Sequence, residues 1–213
     1  MKKGTLLCFA SLLLLSSCGG GAKPVSPSEP NIQSGASSKA EISKEENSAA
    51  SKEEGGKWDK AAVVYFSCTN HTKGVAEKIS SYMSAPLLRI EPKIAYTDAD
   101  LDYTQSDCRA NREQNDSSAR PEIKEALDVS SYDSLFLGYP IWWGKLPKII
   151  CTFCESEDLS GKTIIPFCTS GGSGIATSVS ELKTLNPNST VLDGRRFSSS
   201  ASQSEVASWA DSL

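Results

Sequence analysis

The sequence predicts an α/β domain, a doubly wound open sheet of five parallel strands with helices on both faces. Three observations point there. Residues 61–66, 134–139 and 163–168 are near-continuous apolar runs, the pattern of strands buried on both sides. Amphipathic stretches of helical period alternate with them. Polar residues that are hard to explain as surface follow strands one, three and four, and in such a sheet those three loops share one edge.

Ahead of the domain the chain reads as targeting and tether. Lys2 and Lys3 precede an apolar run from Leu6 to Leu15, followed by Ser16-Ser17-Cys18. A basic start, a hydrophobic stretch too short to span a bilayer and small residues at its end describe a signal peptide over residues 1–17. Leu15-Ser16-Ser17-Cys18 also resembles a lipobox, which makes Cys18 the expected lipidation site and the domain a lipid-anchored one outside the cytoplasm of a bacterium. An ordinary signal with an incidental cysteine is the alternative. Residues 18–57 hold almost no large apolar side chain and cannot offset the entropy of ordering, so a disordered polar tether is expected. Its root-mean-square span as a coil is about 35 Å. Residues 58–213 are one ordinary domain's length, enough for a real core.

Within the domain, residues 61–66 are the first strand. Residues 72–84 put Val75, Ala76, Ile79 and Met83 at helical spacing. A short second strand occupies 87–90. Residues 91–133 are polar and irregular, with weak helical patterns at 108–114 and 122–127. The strand at 134–139 leads to a helix that Pro147 opens and that runs through Phe153. Then come the strand at 163–168, a helix at 173–185, a short fifth strand at 191–192 and a closing helix at 204–211. Pro166 opposes a regular ladder because it has no N–H, so a bulge or a ladder end is expected there.

Composition excludes several functions. The net charge is −4, becoming −6 without Lys2 and Lys3, and no basic stripe invites nucleic acid. The acidic surface suits a basic protein partner, and serves solubility equally well. With one histidine, His71, neither a Ser-His-Asp nor a Cys-His arrangement nor a zinc site is expected. The domain's five cysteines, Cys68, Cys108, Cys151, Cys154 and Cys168, leave at least one thiol unpaired. Cys151-Thr152-Phe153-Cys154 falls late in its helix, away from the strand-to-helix junction where a redox CxxC works, and reads as structural.

The first edge loop, Ser67-Cys68-Thr69-Asn70-His71-Thr72, sits where a helix begins, with unpaired backbone N–H groups and the positive end of its dipole. Hydroxyls there suit a phosphate monoester, or else cap the helix. Neither GxxxxGK[ST] nor GxGxxG stands at this junction. The second loop, Pro140-Ile141-Trp142-Trp143-Gly144, offers indole faces on which a flat conjugated ligand could stack, unless both rings pack inward. The third, Thr169-Ser170-Gly171-Gly172, has hydroxyls and bare amides for ring carbonyls and nitrogens, or is a flexible turn. A phosphorylated planar heterocycle fits all three together, and flavin mononucleotide (FMN) is the obvious candidate.

The stretches VVYFSCTNHTKGVAEKI, YDSLFLGYPIWWGKLP and GKTIIPFCTSGGSGI resemble flavodoxins, in particular the bacterial flavodoxin-like proteins that include lipoproteins, over residues 61–197. The resemblance implies a flavodoxin-like fold with strand order 2-1-3-4-5 and non-covalent FMN at the carboxyl ends of the strands. It implies phosphate contacts from Ser67, Thr69, Asn70, His71 and Thr72, with Cys68 inside that loop. Pro140, Ile141, Trp142, Trp143 and Gly144 would line one side of the ring, and Thr169, Ser170, Gly171 and Gly172 another edge. Asn70 stands where the family loop usually has glycine, and asparagine tolerates positive φ. Cys68 is either a thiol activated by the helix N-terminus or a small filler. The acidic side chains that crowd the ring in low-potential members are not identifiable in these stretches, and a ring site without a nearby cation would disfavour the negatively charged reduced flavin.

Three functions are expected in descending order. The first is a monomeric electron carrier that exchanges electrons with a redox protein partner. The second is an FMN-dependent NAD(P)H:acceptor oxidoreductase of quinone type, for which residues 91–133 build or block the space. The third is a cofactor-free binding domain.

Overall fold

The structure, a computed structural model, describes residues 57–213. The signal peptide, Cys18 and the tether lie outside the described residues, apart from Lys57 at the tether's end. Its elements are β1 (Ala61–Tyr65), α1 (His71–Met83), β2 (Leu87–Arg89), α2 (Asp98–Leu101), α3 (Arg109–Asn115), β3 (Ser134–Pro140), α4 (Lys148–Ser156), β4 (Thr163–Thr169), α5 (Ala176–Leu185), β5 (Thr190–Val191), β6 (Arg195–Phe197) and α6 (Gln203–Asp211).

All strand pairings are parallel, in the order β2-β1-β3-β4-β5, with β6 also on β4. Every residue of β1 is buried because both of its faces are covered. Alternate side chains point to opposite faces. Ala62, Val64 and the following Phe66 join the core beneath α4 and α5, together with Ile149, Phe153 and Leu182. Ala61, Val63 and Tyr65 join the core beneath α1 and α6, with Ile79, Val206 and Trp209. This is the doubly wound α/β sheet expected from the sequence.

The fifth strand position is divided. Thr190 and Val191 pair with Thr163 and Ile164, whereas Arg195–Phe197 pair with Phe167–Thr169, so the register offset grows by one residue between them. The break lies opposite Pro166, which has no N–H to give the ladder. Gly194 sits in the break at φ +68, where a Cβ would stand 2.3 Å from the Pro166 carbonyl oxygen. Of the bulge or ladder end expected at Pro166, neither lies in β4, where Pro166 stays in register with Leu137; the extra residue lies across from it in the fifth strand, which runs on to Phe197, beyond the expected end at Leu192.

Residues 91–133 also depart from expectation. The helix expected at 122–127 is absent; Ile123 instead forms an antiparallel bridge with Pro92. Lys93 N–H donates to the Glu122 carbonyl and Lys124 N–H to that of Glu91, both at 2.8 Å. Two apolar residues, Ile123 and Leu127, were too little to hold a helix against that bridge, and both pack on the core outside any helix. A four-residue helix, α2, appears instead, fixed by a capping box between Thr97 and Asp100. α5 begins at Ala176 rather than at residue 173, which leaves the glycine-rich loop free of helix.

Candidate functional site

The three edge loops meet. Thr69, Pro140, Ile141 and Trp142 are common to two adjoining depressions at the carboxyl edge of the sheet. One, of about 440 Å³, adds His71, Thr169, Ser170 and Gly171, with Arg196, Ser198 and Ser199. The other, of about 390 Å³, adds Cys68 and Trp143, with Leu101, Tyr103 and Ala110. Ser67, Asn70, Thr72, Gly144 and Gly172 line neither depression.

The first loop is shaped by Asn70, which takes φ +64 and ψ 0 as the N-cap of α1. Asparagine holds this left-handed turn where most residues would be strained. No side chain caps the helix. The N–H groups of His71, Thr72 and Lys73 therefore lack intrahelical acceptors, and the helix adds its dipole there. The capping explanation for the hydroxyls is thereby removed. The hydroxyls divide in two. Ser67 and Thr72 are buried, and Thr72 Oγ1 lies 2.8 Å from Thr169 Oγ1, tying the first loop to the third. Thr69 is exposed, with Oγ1 3.4 Å from His71 Nδ1. Burial pushes the Cys68 thiol up to about 12, only partly countered by Arg89 and Arg109. Cys68 is thus a protonated filler, not a thiolate activated by the helix.

The two tryptophans differ. Trp142 is half-buried and edge-on to Phe66 and Tyr96, with centroids 5.6 and 5.4 Å away. Trp143 is 49% exposed. It occupies a two-residue turn at φ +50, followed by Gly144 at φ +76. Trp142 and Lys145 close that turn with two backbone hydrogen bonds of 3.2 and 2.9 Å. Gln114 of α3 clamps the loop from behind, its Nε2 donating to the carbonyls of Trp142 and Leu146 at 2.9 and 3.1 Å. Tyr96 is held by its hydroxyl donating to Glu113 at 2.5 Å and by the Arg109 guanidinium 3.9 Å from its ring centroid. Burial, then the bond to Glu113, keeps its phenol protonated.

The third loop is open. A Cβ on Gly171 or Gly172 would meet no protein atom within 4 Å. Neither glycine is among the positive-φ residues. Neither packing nor torsion within this chain demands glycine at these positions, so the backbone here is bare and open to close approach. The second and third loops are also joined directly, Ile141 N–H donating to the Thr169 carbonyl at 3.0 Å.

Comparison with known proteins agrees with this geometry. A family model described as flavodoxin matches residues 60–213. The chain belongs to the flavodoxin family. Among solved structures, this flavodoxin is 38% identical to a candidate flavoprotein of Bacteroides uniformis, with a TM-score of 0.69 over 71% of this chain and 97% of that one. It is 40% identical to another from Bacteroides eggerthii, with a TM-score of 0.69 over 72% and 97%. A flavoprotein of Lactobacillus acidophilus in complex with FMN is 27% identical, with a TM-score of 0.56 over 71% and 98%. No curated protein matches the chain.

Sequence reasoning missed Gln114 and Tyr96, which brace the tryptophan loop, and Arg196, Ser198 and Ser199, which close the larger depression. Arg196 lies in β6, the second part of the fifth strand, and Ser198 and Ser199 follow it at the same edge. Ending that strand at Leu192 hid them.

Proposed function

We propose that this flavodoxin binds FMN non-covalently at the carboxyl edge of its sheet and works as an electron carrier outside the cytoplasm, held to the membrane by a lipid on Cys18. The observation that carries the reading is the meeting of an uncapped helix N-terminus, an indole-bearing turn and a bare glycine loop around one pair of depressions. The FMN-bound Lactobacillus relative supports the choice of cofactor.

The residues fit that group. Thr69, His71 and the first amides of α1 would take the phosphate, with the helix dipole behind them. Trp142 and Trp143 would flank the ring, Trp142 held by Phe66, Tyr96 and Gln114. Ser170 and the amides of Gly171 and Gly172 would meet its polar edge. The flavin supplies the one- and two-electron chemistry when bound; the chain binds it, orients it and sets its surroundings. Half-buried Cys68 stays neutral beside it and adds no charge.

A second reading is favoured by one observation. The smaller depression is walled by Leu101, Tyr103 and Ala110 from the irregular excursion, which leaves room beside the tryptophan loop for a second reactant. That room suits an NAD(P)H:acceptor oxidoreductase. The exported, lipid-bearing chain, purified from membranes, separates the two. An electron carrier shows an oxidised flavin spectrum that excess NADPH alone leaves intact and that bleaches when a flavodoxin reductase is added. Bleaching by NADPH alone would establish the second reading.

A further inference from the structure

We infer that Arg196 is the cation that stabilises the reduced flavin in this protein, raising the midpoint potential above the value that the rest of the site would set. The inference rests on the FMN reading above and concerns the oxidation state that the pocket prefers.

Arg196 lies in β6, next to the third edge loop, and its Nη1 donates to the Ser170 carbonyl at 3.1 Å. That bond holds the guanidinium at the loop whose amides would face the polar edge of the ring. Its neighbour Arg195 is engaged elsewhere, with Glu205 at 3.2 Å and the Phe197 ring at 5.1 Å. Arg196 forms no ion pair among the described residues, and it lines the larger depression. No Asp or Glu lines either depression, and Arg196 is the one permanent charge in both linings. Its field reaches the strand ends: burial pushes the Cys168 thiol up to about 12, and Arg196 opposes that rise.

The break opposite Pro166 puts the residue there. The extra residue in the fifth strand restores pairing at Phe167–Thr169, and Arg196 pairs with Cys168, two residues before Ser170. Arg196 shares its depression with Thr69 and His71 of the first loop, and its hydrogen bond goes to Ser170 of the third. The Ser170 bond assigns it to the ring edge that the third loop would meet, and riboflavin, which lacks the phosphate, tests that assignment. The oxidised ring is neutral and the reduced ring carries negative charge near N1, so a cation beside that edge binds the reduced form more tightly. A ring covering the depression excludes water from this pair and strengthens the effect.

The test uses the full chain and its Arg196→Gln, Arg196→Lys and Arg195→Gln variants, each titrated with FMN and with riboflavin, oxidised and after dithionite reduction. Arg196→Gln should weaken reduced FMN and reduced riboflavin alike by about tenfold, with the oxidised affinities within about twofold. Such a split lowers the two-electron potential by about 30 mV. Arg196→Lys should recover most of it, and Arg195→Gln should show none. Equal losses in both oxidation states would make Arg196 a structural brace of the Ser170 loop and overturn the inference. A loss confined to FMN would place the charge on the phosphate and overturn it too, as would no change. Wild-type chain that ignores FMN in both states would sink the cofactor reading itself, a different failure.

Discussion

Asn70 takes the place usually left to glycine: at φ +64 it turns the chain from β1 into α1, whose first amides no side chain caps. Thr69 beside it is exposed, whereas Thr72 is spent on Thr169. The two threonines are thus unequal, and only Thr69 can be tested as a ligand contact without disturbing the joint between loops. Cys68 gives the pH prediction at this scale. Burial raises its pKa to about 12, so the thiol stays protonated through neutral and mildly alkaline pH. Iodoacetamide at pH 8 should therefore leave Cys68 unmodified in the folded chain while labelling it fully in urea, as mass spectrometry of peptides would show. Rapid labelling of folded protein at pH 8 would mean an activated thiolate after all.

At the scale of the element, the divided fifth strand is the most informative feature. Pro166 breaks the ladder, Gly194 absorbs the break at positive φ, and the strand resumes to deliver Arg196 and Ser198 to the site. Gly194→Ala would add left-handed strain and drive a methyl group into the Pro166 carbonyl. It should destabilise the fold by more than about 2 kcal/mol, read as a lower urea midpoint at unchanged slope. A midpoint equal to wild type would show that the bulge relaxes freely. The long elements were legible because their periods are strong: the apolar runs of β1, β3 and β4 and the faces of α1 and α4. The proline signalled an interrupted ladder, though the extra residue falls across from it in the fifth strand. The residues that the bulge carries to the edge were not legible, since a two-residue strand with polar continuation looks finished. The 91–133 excursion was illegible for another reason. Its order comes from single long-range anchors, such as Gln114 on the Trp142 loop and Ile123 against Pro92, and no local pattern announces these. For the site, the loops could be read because topology alone puts them on one edge. Which hydroxyl is buried and which indole is exposed depended on packing.

Across the whole molecule, the chain enters the domain at Lys57 and Trp58, where Trp58 packs on Phe136 of the sheet. β1 then runs toward the functional edge, so the entry point lies at the opposite pole from the site. All of this depends on the loops forming one binding site for a phosphorylated flavin. The most direct measurement is the affinity of the flavin-stripped full chain for FMN and for riboflavin, followed by quenching of flavin fluorescence, with Thr69→Ala alongside. We expect FMN to bind more tightly than riboflavin, and Thr69→Ala to weaken FMN by about tenfold while leaving riboflavin within about twofold, the worth of one charge-assisted hydrogen bond. Equal affinity for both ligands, or no quenching by either, would contradict the account.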